Sequence, residues 1–200
     1  MAADAPLAGL VLAGGMSTRM QRDKAAIELR GETQLARAVG LLSALVPDTF
    51  VSVREAQRAE ATRARWPQIV DRLEGVGPAA GILAALEARP DHAWLVVAVD
   101  LPLLDAATLA RLVAKRDPGQ LATAYRSSVD GLPEPLCAIW EPASRAPLAA
   151  FIASGRSCPR KFLLTNAATL LELAAPTALA NINTPAELAA LVQAEQGGAA

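Results

Sequence analysis

The strongest constraint on the fold is a short apolar run that stops at two glycines. Leu10-Val11-Leu12-Ala13 ends at Gly14-Gly15, and a polar stretch carrying Arg19, Arg22 and Lys24 follows. This pattern predicts a buried strand over residues 7–13 that delivers its carboxyl end into a loop. In open α/β sheets, ligands bind beside such strand ends. Two glycines let the backbone approach a ligand, and successive N–H groups there can form a concave nest for an anion. The cations beside them point to a phosphorylated ligand. A glycine turn leading into a solvated charged loop is the simpler alternative, because turns use glycine constantly. Two other phosphate loops do not match. Asp23 stands where a P-loop needs the glycine before its lysine, and Thr18 and Arg19 stand where a dinucleotide loop would place another glycine.

Downstream, strand and helix patterns alternate. Residues 32–45 carry Leu35, Ala38, Val39, Leu42 and Leu45 at helical spacing, with Thr33 as cap. Residues 50–53 read as a strand, 56–66 as a helix stopped by Pro67, 68–70 as a strand and 79–88 as a helix behind Pro78. Residues 93–99 are apolar throughout, as a central parallel strand requires. A helix over 105–115, capped by Asp105, and a strand over 121–125 follow. The alternation then breaks into a strand at 136–140, a helix at 146–154, a short helix at 159–164, a strand at 170–173 and a last helix at 186–193. The fold class expected is α/β, three layers, with a mostly parallel sheet and helices on both faces. Residues 1–200 read as a single domain, with no linker long enough to divide it.

Composition excludes several classes. The net charge of −1 gives no reason to invoke nucleic acid or a membrane surface. No apolar run approaches the ~20 residues of a membrane span. Residues 1–6 contain an acid and no basic region, unlike a signal peptide. Cys137 and Cys158 lack metal-ligand spacing and are expected as free thiols in a reducing cytoplasm. His92, the single histidine, precedes a strand and so lies away from the ligand edge.

Asp100 follows the apolar strand directly, so its carboxylate emerges at the same sheet edge as Gly14-Gly15. There it could hold a hard dication together with phosphate oxygens, or simply cap the turn into Pro102. The stretch 155–161, with Arg156, Arg160 and Lys161, could take a phosphate or form a solvated basic face. If extended, Asn181-Ile182-Asn183 places both amides on one face, and Thr184 caps a helix beginning at Pro185.

The string Leu12-Ala13-Gly14-Gly15, Ser17-Thr18-Arg19-Met20 and Asp23-Lys24 resembles the signature of the molybdenum cofactor guanylyltransferases and their nucleotidyltransferase relatives, with their Rossmann-like fold. One position departs from that signature: Gln21 replaces the glycine that usually follows Arg-Met. Val99-Asp100-Leu101-Pro102 resembles the family's metal-binding Asp-x-Pro. The stretch from Asp71 to Gly81 resembles its nucleotide-contacting loop, Glu134-Pro135-Leu136 its Pro-Glu-Pro-Leu segment, and Asn181 to Pro185 its Asn-x-Asn-Thr-Pro. The resemblance implies Arg19, Lys24 and Asp100 as catalytic residues, with Mg²⁺ on Asp100. It implies nucleotide contacts from Leu12, Ala13, Gly14 and Gly15, with Lys24, Asp71 and Asp100. The nucleotide-binding part would span about 7–115, and the acceptor-binding part, about 120–193, would comprise Glu134, Arg156, Lys161, Asn181 and Asn183.

The implied reaction transfers GMP from GTP to the phosphate of Mo-molybdopterin, yielding the guanine dinucleotide cofactor and pyrophosphate. Molybdoenzymes or their chaperones would be the recipients, and the protein would be a monomer or weak oligomer. A sister group uses CTP. Its members tend to read Leu-Ala-Ala-Gly with Pro-Lys, so Gly14 and Asp23 favour guanine. A sugar-phosphate acceptor and a non-catalytic cofactor-binding module remain open at this point.

Overall fold

The structure is a computed structural model that describes residues 4–15, 23–29, 31–181 and 187. In chain order it contains β1 (Leu7–Leu12), a 3-10 turn (Lys24–Ala26), β2 (Glu28–Leu29), β3 (Glu32–Thr33) and α1 (Gln34–Ser43). Next come β4 (Thr49–Arg54), a 3-10 turn (Glu55–Gln57), α2 (Ala61–Ala64), β5 (Gln68–Asp71), α3 (Pro78–Ala88), β6 (Ala93–Ala98) and α4 (Ala106–Ala114). The last elements are β7 (Ala122–Arg126), β8 (Pro133–Trp140), a 3-10 turn (Pro142–Ser144), α5 (Arg145–Ala153), α6 (Pro159–Thr165) and β9 (Ala168–Leu171).

Among the described residues, the main sheet has seven strands in the order β5-β4-β1-β6-β8-β7-β9. β8 runs antiparallel to both its neighbours, and the other strands are parallel. The chain first builds outward from β1 through β4 to β5, then returns to place β6 on the other side of β1. The crevice between the carboxyl ends of β1 and β6 is therefore the topological switch point, where such sheets bind ligands. Leu12 pairs in register with Ala98, so Gly14 and Asp100 leave the sheet side by side.

Alternation along the strands builds two cores. Leu95 and Val97 of β6 join Val11, Leu35, Leu42, Leu109 and Leu112 beneath α1 and α4. Trp94 and Val96 face the other way, with Leu10, Ile82, Leu86, Trp140 and Phe162 beneath α3, α5 and α6. The expected three layers are thus present, with helices on both faces.

Several expected elements change extent. The helix expected over 32–45 starts at Gln34, because Glu32–Thr33 pairs with Glu28–Leu29; Thr33 caps it through a bond from Ala36 N (3.2 Å). Asp105 caps α4 as expected, accepting from Thr108 N at 2.7 Å. The single helix expected over 56–66 is instead a 3-10 turn and the four-residue α2. Two side chains account for the break. Gln57 Oε1 turns back to accept from Arg54 N (3.1 Å) and Nε (3.3 Å), and Arg63 is drawn inward toward β1. The strand expected over 170–173 occurs as Ala168–Leu171, paired with β7. The helix expected over 186–193 lies outside the described residues except for Glu187, which is helical. No described helix is long and apolar enough to cross a membrane.

Candidate active site

β1, β4, β5 and β6 present their carboxyl ends to one cleft of about 1000 Å³. Leu12, Ala13, Gly14 and Gly15 line it from β1, Asp23 and Lys24 from the following turn, and Asp71 and Asp100 from the ends of β5 and β6. A Cβ on Gly14 would stand 3.6 Å from Asp71 Oδ2 and Gln57 Oε1, whereas one on Gly15 would meet nothing within 4 Å. The bare backbone at Gly14 thus keeps a narrow gap open against Asp71.

Lys24 Nζ lies 2.7 Å from Asp100 Oδ2, both side chains about four-fifths buried. Two residues 76 positions apart, singled out separately in the sequence, therefore form one ion pair at the switch point. Asp23 caps the turn that carries Lys24, accepting from Ala25 N at 3.1 Å. Burial opposes ionisation of Asp23, but the hydrogen bonds and charge of Arg63 outweigh it and hold the carboxyl below its usual range. Asp71 behaves oppositely. Burial pushes its carboxyl up, and the positive charge of Arg54 only partly offsets the rise. Arg19 lies outside the described residues, as does Gln21.

Among the described residues, no cluster of three or more His, Cys, Asp and Glu side chains gathers into a self-sufficient metal cage. Asp100 is a single carboxylate, already engaged with one cation at 2.7 Å, at the mouth of a roomy cleft. That donor set fits magnesium, which is typically held by one or two carboxylates and completes its shell with water and phosphate oxygens.

A second cavity of about 480 Å³ adjoins the first. Gly75, Gly77, Pro78 and Leu136 border both. Gly77 caps α3 at φ 71°, a conformation glycine tolerates best, and Pro78 opens the helix. The amino end of α3 thus stands between the two cavities, where its partial positive charge favours anions.

Glu134 and Asn181 line the second cavity, but Arg156 and Lys161 do not. Arg156 is withdrawn over the Phe151 ring, 4.1 Å from its centroid. Lys161 is exposed on α6. The lining cation is Arg160, the third basic residue of that cluster, which donates to Glu134 Oε2 (2.8 Å) and Asp130 Oδ2 (2.9 Å). Helical geometry separates the two neighbours, since consecutive residues of α6 point about 100° apart. Asn183 lies outside the described residues. Cys137 is buried and its thiol is pushed up to about 12 by burial, with Glu134 adding to the rise, so it is no nucleophile. His92 contacts Asp91 at the opposite edge of the sheet, before β6.

Sequence reasoning missed Arg63. Its side chain is 1% exposed and reaches both Ala13 and Asp23. Its sequence neighbourhood carries Arg54, Arg58 and Arg65 as well, and nothing in that run marks Arg63 as the buried one.

Residues 9–170 match the model of the MobA-like NTP transferase domain. The chain is 36% identical over 206 residues to the molybdenum cofactor guanylyltransferase of Rhizobium johnstonii, covering 95% of this chain and 92% of that protein. It is 35% identical over 180 residues to a molybdenum cofactor biosynthesis bifunctional protein of Synechocystis, covering 90% of this chain and 52% of that protein. The chain thus spans about half the length of the bifunctional relative. The crystal structure of molybdopterin-guanine dinucleotide biosynthesis protein A from Archaeoglobus fulgidus superposes with a TM-score of 0.77 at 24% identity, over 94% of this chain and 98% of that one. At that identity the likeness speaks for the fold. The family model and the Rhizobium relative reach across the sheet, the glycine loop and the Lys24–Asp100 pair, and the chain belongs to the MobA-like NTP transferase family.

Proposed function

We propose that the chain transfers GMP from GTP to the phosphate of Mo-molybdopterin, with release of pyrophosphate. The observation that carries this reading is the pairing of Lys24 with Asp100 at the switch point, beside Gly14-Gly15 and next to a second cavity. A phosphate oxygen of the acceptor attacks the α-phosphorus, and the bond to the β-phosphate oxygen breaks. Such a transfer needs positioning and charge neutralisation rather than covalent help.

Lys24 meets the triphosphate oxygens, with Arg19 as a second cation. Gly14 and Gly15 leave room for base and sugar, with Leu12 and Ala13 beneath them. Asp71, which lines the cleft from the end of β5, accepts hydrogen bonds from the nucleoside. Magnesium on Asp100 would neutralise phosphate charge when bound. The acceptor phosphate is already anionic and needs no general base. Glu134, Arg160 and Asn181 line the adjoining cavity as the acceptor side. The reaction belongs in the cytoplasm, and the product would pass to molybdoenzymes or their chaperones.

Titration calorimetry with GTP, CTP, ATP and UTP, each with magnesium, tests the donor. GTP is expected to bind most tightly. A preference for CTP would change the product to the cytosine dinucleotide, and binding of no triphosphate would overturn the reading. Asp100→Ala is expected to lower turnover by about a thousandfold or more while the melting temperature holds. Unchanged turnover would remove Asp100 from the reaction.

A further inference from the structure

Arg63 is buried beside the cleft without lining it. Its Nε and Nη2 donate to the Ala13 carbonyl at 3.1 and 2.8 Å. Its Nη1 and Nη2 donate to the two oxygens of Asp23 at 2.6 and 2.7 Å, and Nη1 also pairs with Glu60. Ala13 immediately precedes Gly14-Gly15, and Asp23 immediately precedes Lys24. One guanidinium, remote in sequence, therefore holds both ends of the segment that carries the glycines and Arg19.

The partners define what the group can do. Arg63 is 1% exposed and already faces two carboxylates, so it offers no charge to a phosphate. Its planar fork suits bidentate engagement of Asp23, which a lysine would not reproduce. Asp23 passes the constraint on, because it caps the turn holding Lys24 against Asp100.

We infer that Arg63 is a positioning residue for triphosphate binding, fixing Ala13 and Asp23 relative to one another and, through Asp23, the placement of Lys24. The inference rests on reading the cleft as the triphosphate site. Groups held in their binding positions before the ligand arrives lose less freedom on binding it. Once bound, the triphosphate holds Lys24 through its own contacts, so the clamp acts on affinity more than on the chemical step.

The test measures the dissociation constant for GTP with magnesium, kcat, KM and melting temperature. It compares the wild type, Arg63→Met, Asp23→Asn, the double variant and Glu60→Gln. Asparagine retains the cap but loses the charged fork. Arg63→Met and Asp23→Asn are each expected to raise the dissociation constant and KM about tenfold, with kcat held within about threefold. The double variant is expected to add little to the larger single effect, because the two act through one contact. Glu60→Gln, which removes only the negative charge on the helix side and leaves Ala13 and Asp23 held, is expected to stay within about twofold of wild type.

A lowered melting temperature with unchanged affinity would reduce Arg63 to a structural role and overturn the inference. Multiplying effects in the double variant would overturn the route through Asp23. If Arg63→Met does not fold, Asp23→Asn decides alone, and an affinity within twofold of wild type overturns the inference. Failure of the wild type to bind any triphosphate would instead overturn the reading of the cleft, and this inference with it.

Discussion

Asp71, proposed to meet the nucleoside, lines the cleft at a cost to the fold. Its carboxyl stands above its ordinary value because burial outweighs the charge of Arg54. A raised carboxyl contributes stability while protonated and loses it as the pH rises through its folded value. Asp71→Asn is therefore expected to raise the melting temperature at about pH 7 by about 1–3 °C, with no difference near pH 3. The same substitution is expected to raise KM for GTP about tenfold or more, by weakening a charged acceptor. A melting temperature that fell at neutral pH would contradict the desolvation account. At this scale Lys24, Asp71 and Asp100 were legible because each ends or follows a recognisable strand or loop. Arg63 was not, because burial of one arginine among several depends on partners distant in sequence.

Among the elements, α3 shows the tightest fit between site and scaffold. Gly81 lets this helix lie against β4 and β1, since a Cβ there would overlap Ser52 Oγ and come within 2.9 Å of Leu12 Cδ2. Gly81→Ala is expected to cost about 1–3 kcal/mol through overpacking, lowering the melting temperature by about 3–8 °C. Adding Ser52→Ala removes one of the overlapping atoms and is expected to recover part of the loss in a thermal melt. No recovery would place the strain elsewhere. Periodicity located α1, while Pro78 and the Asp105 cap located α3 and α4. It failed over residues 56–66, where side-chain bonds from Gln57 and Arg63 prevail over helical continuity.

At the scale of the whole molecule, the edge of the sheet opposite the cleft is held by a separate pin. Arg116, just beyond α4, donates through Nε and Nη2 to both oxygens of Glu141 at 2.7 Å and through Nη1 to the Ala5 carbonyl at 2.8 Å. Glu141 is 2% exposed and follows β8. Breaking a buried pair on one side leaves an uncompensated charge. Glu141→Ala is thus expected to cost about 3–5 kcal/mol in urea unfolding and to leave KM for GTP within about twofold. A comparable rise in KM would mean that the two edges are coupled.

The local pattern of residues by itself determined the α/β alternation, the strand-to-glycine loop and the acidic strand end. Those features follow from near-neighbour chemistry: apolar periodicity, glycine conformational freedom and capping. The break after β7 was also visible, but not that β8 runs antiparallel, because strand direction depends on pairing across the sheet. Tertiary structure alone decided that Lys24 meets Asp100, that Arg160 rather than Arg156 or Lys161 enters the second cavity, and that Arg63 closes over Ala13 and Asp23. Each of those outcomes turns on which charged side chain loses its water, and that depends on what the fold brings beside it.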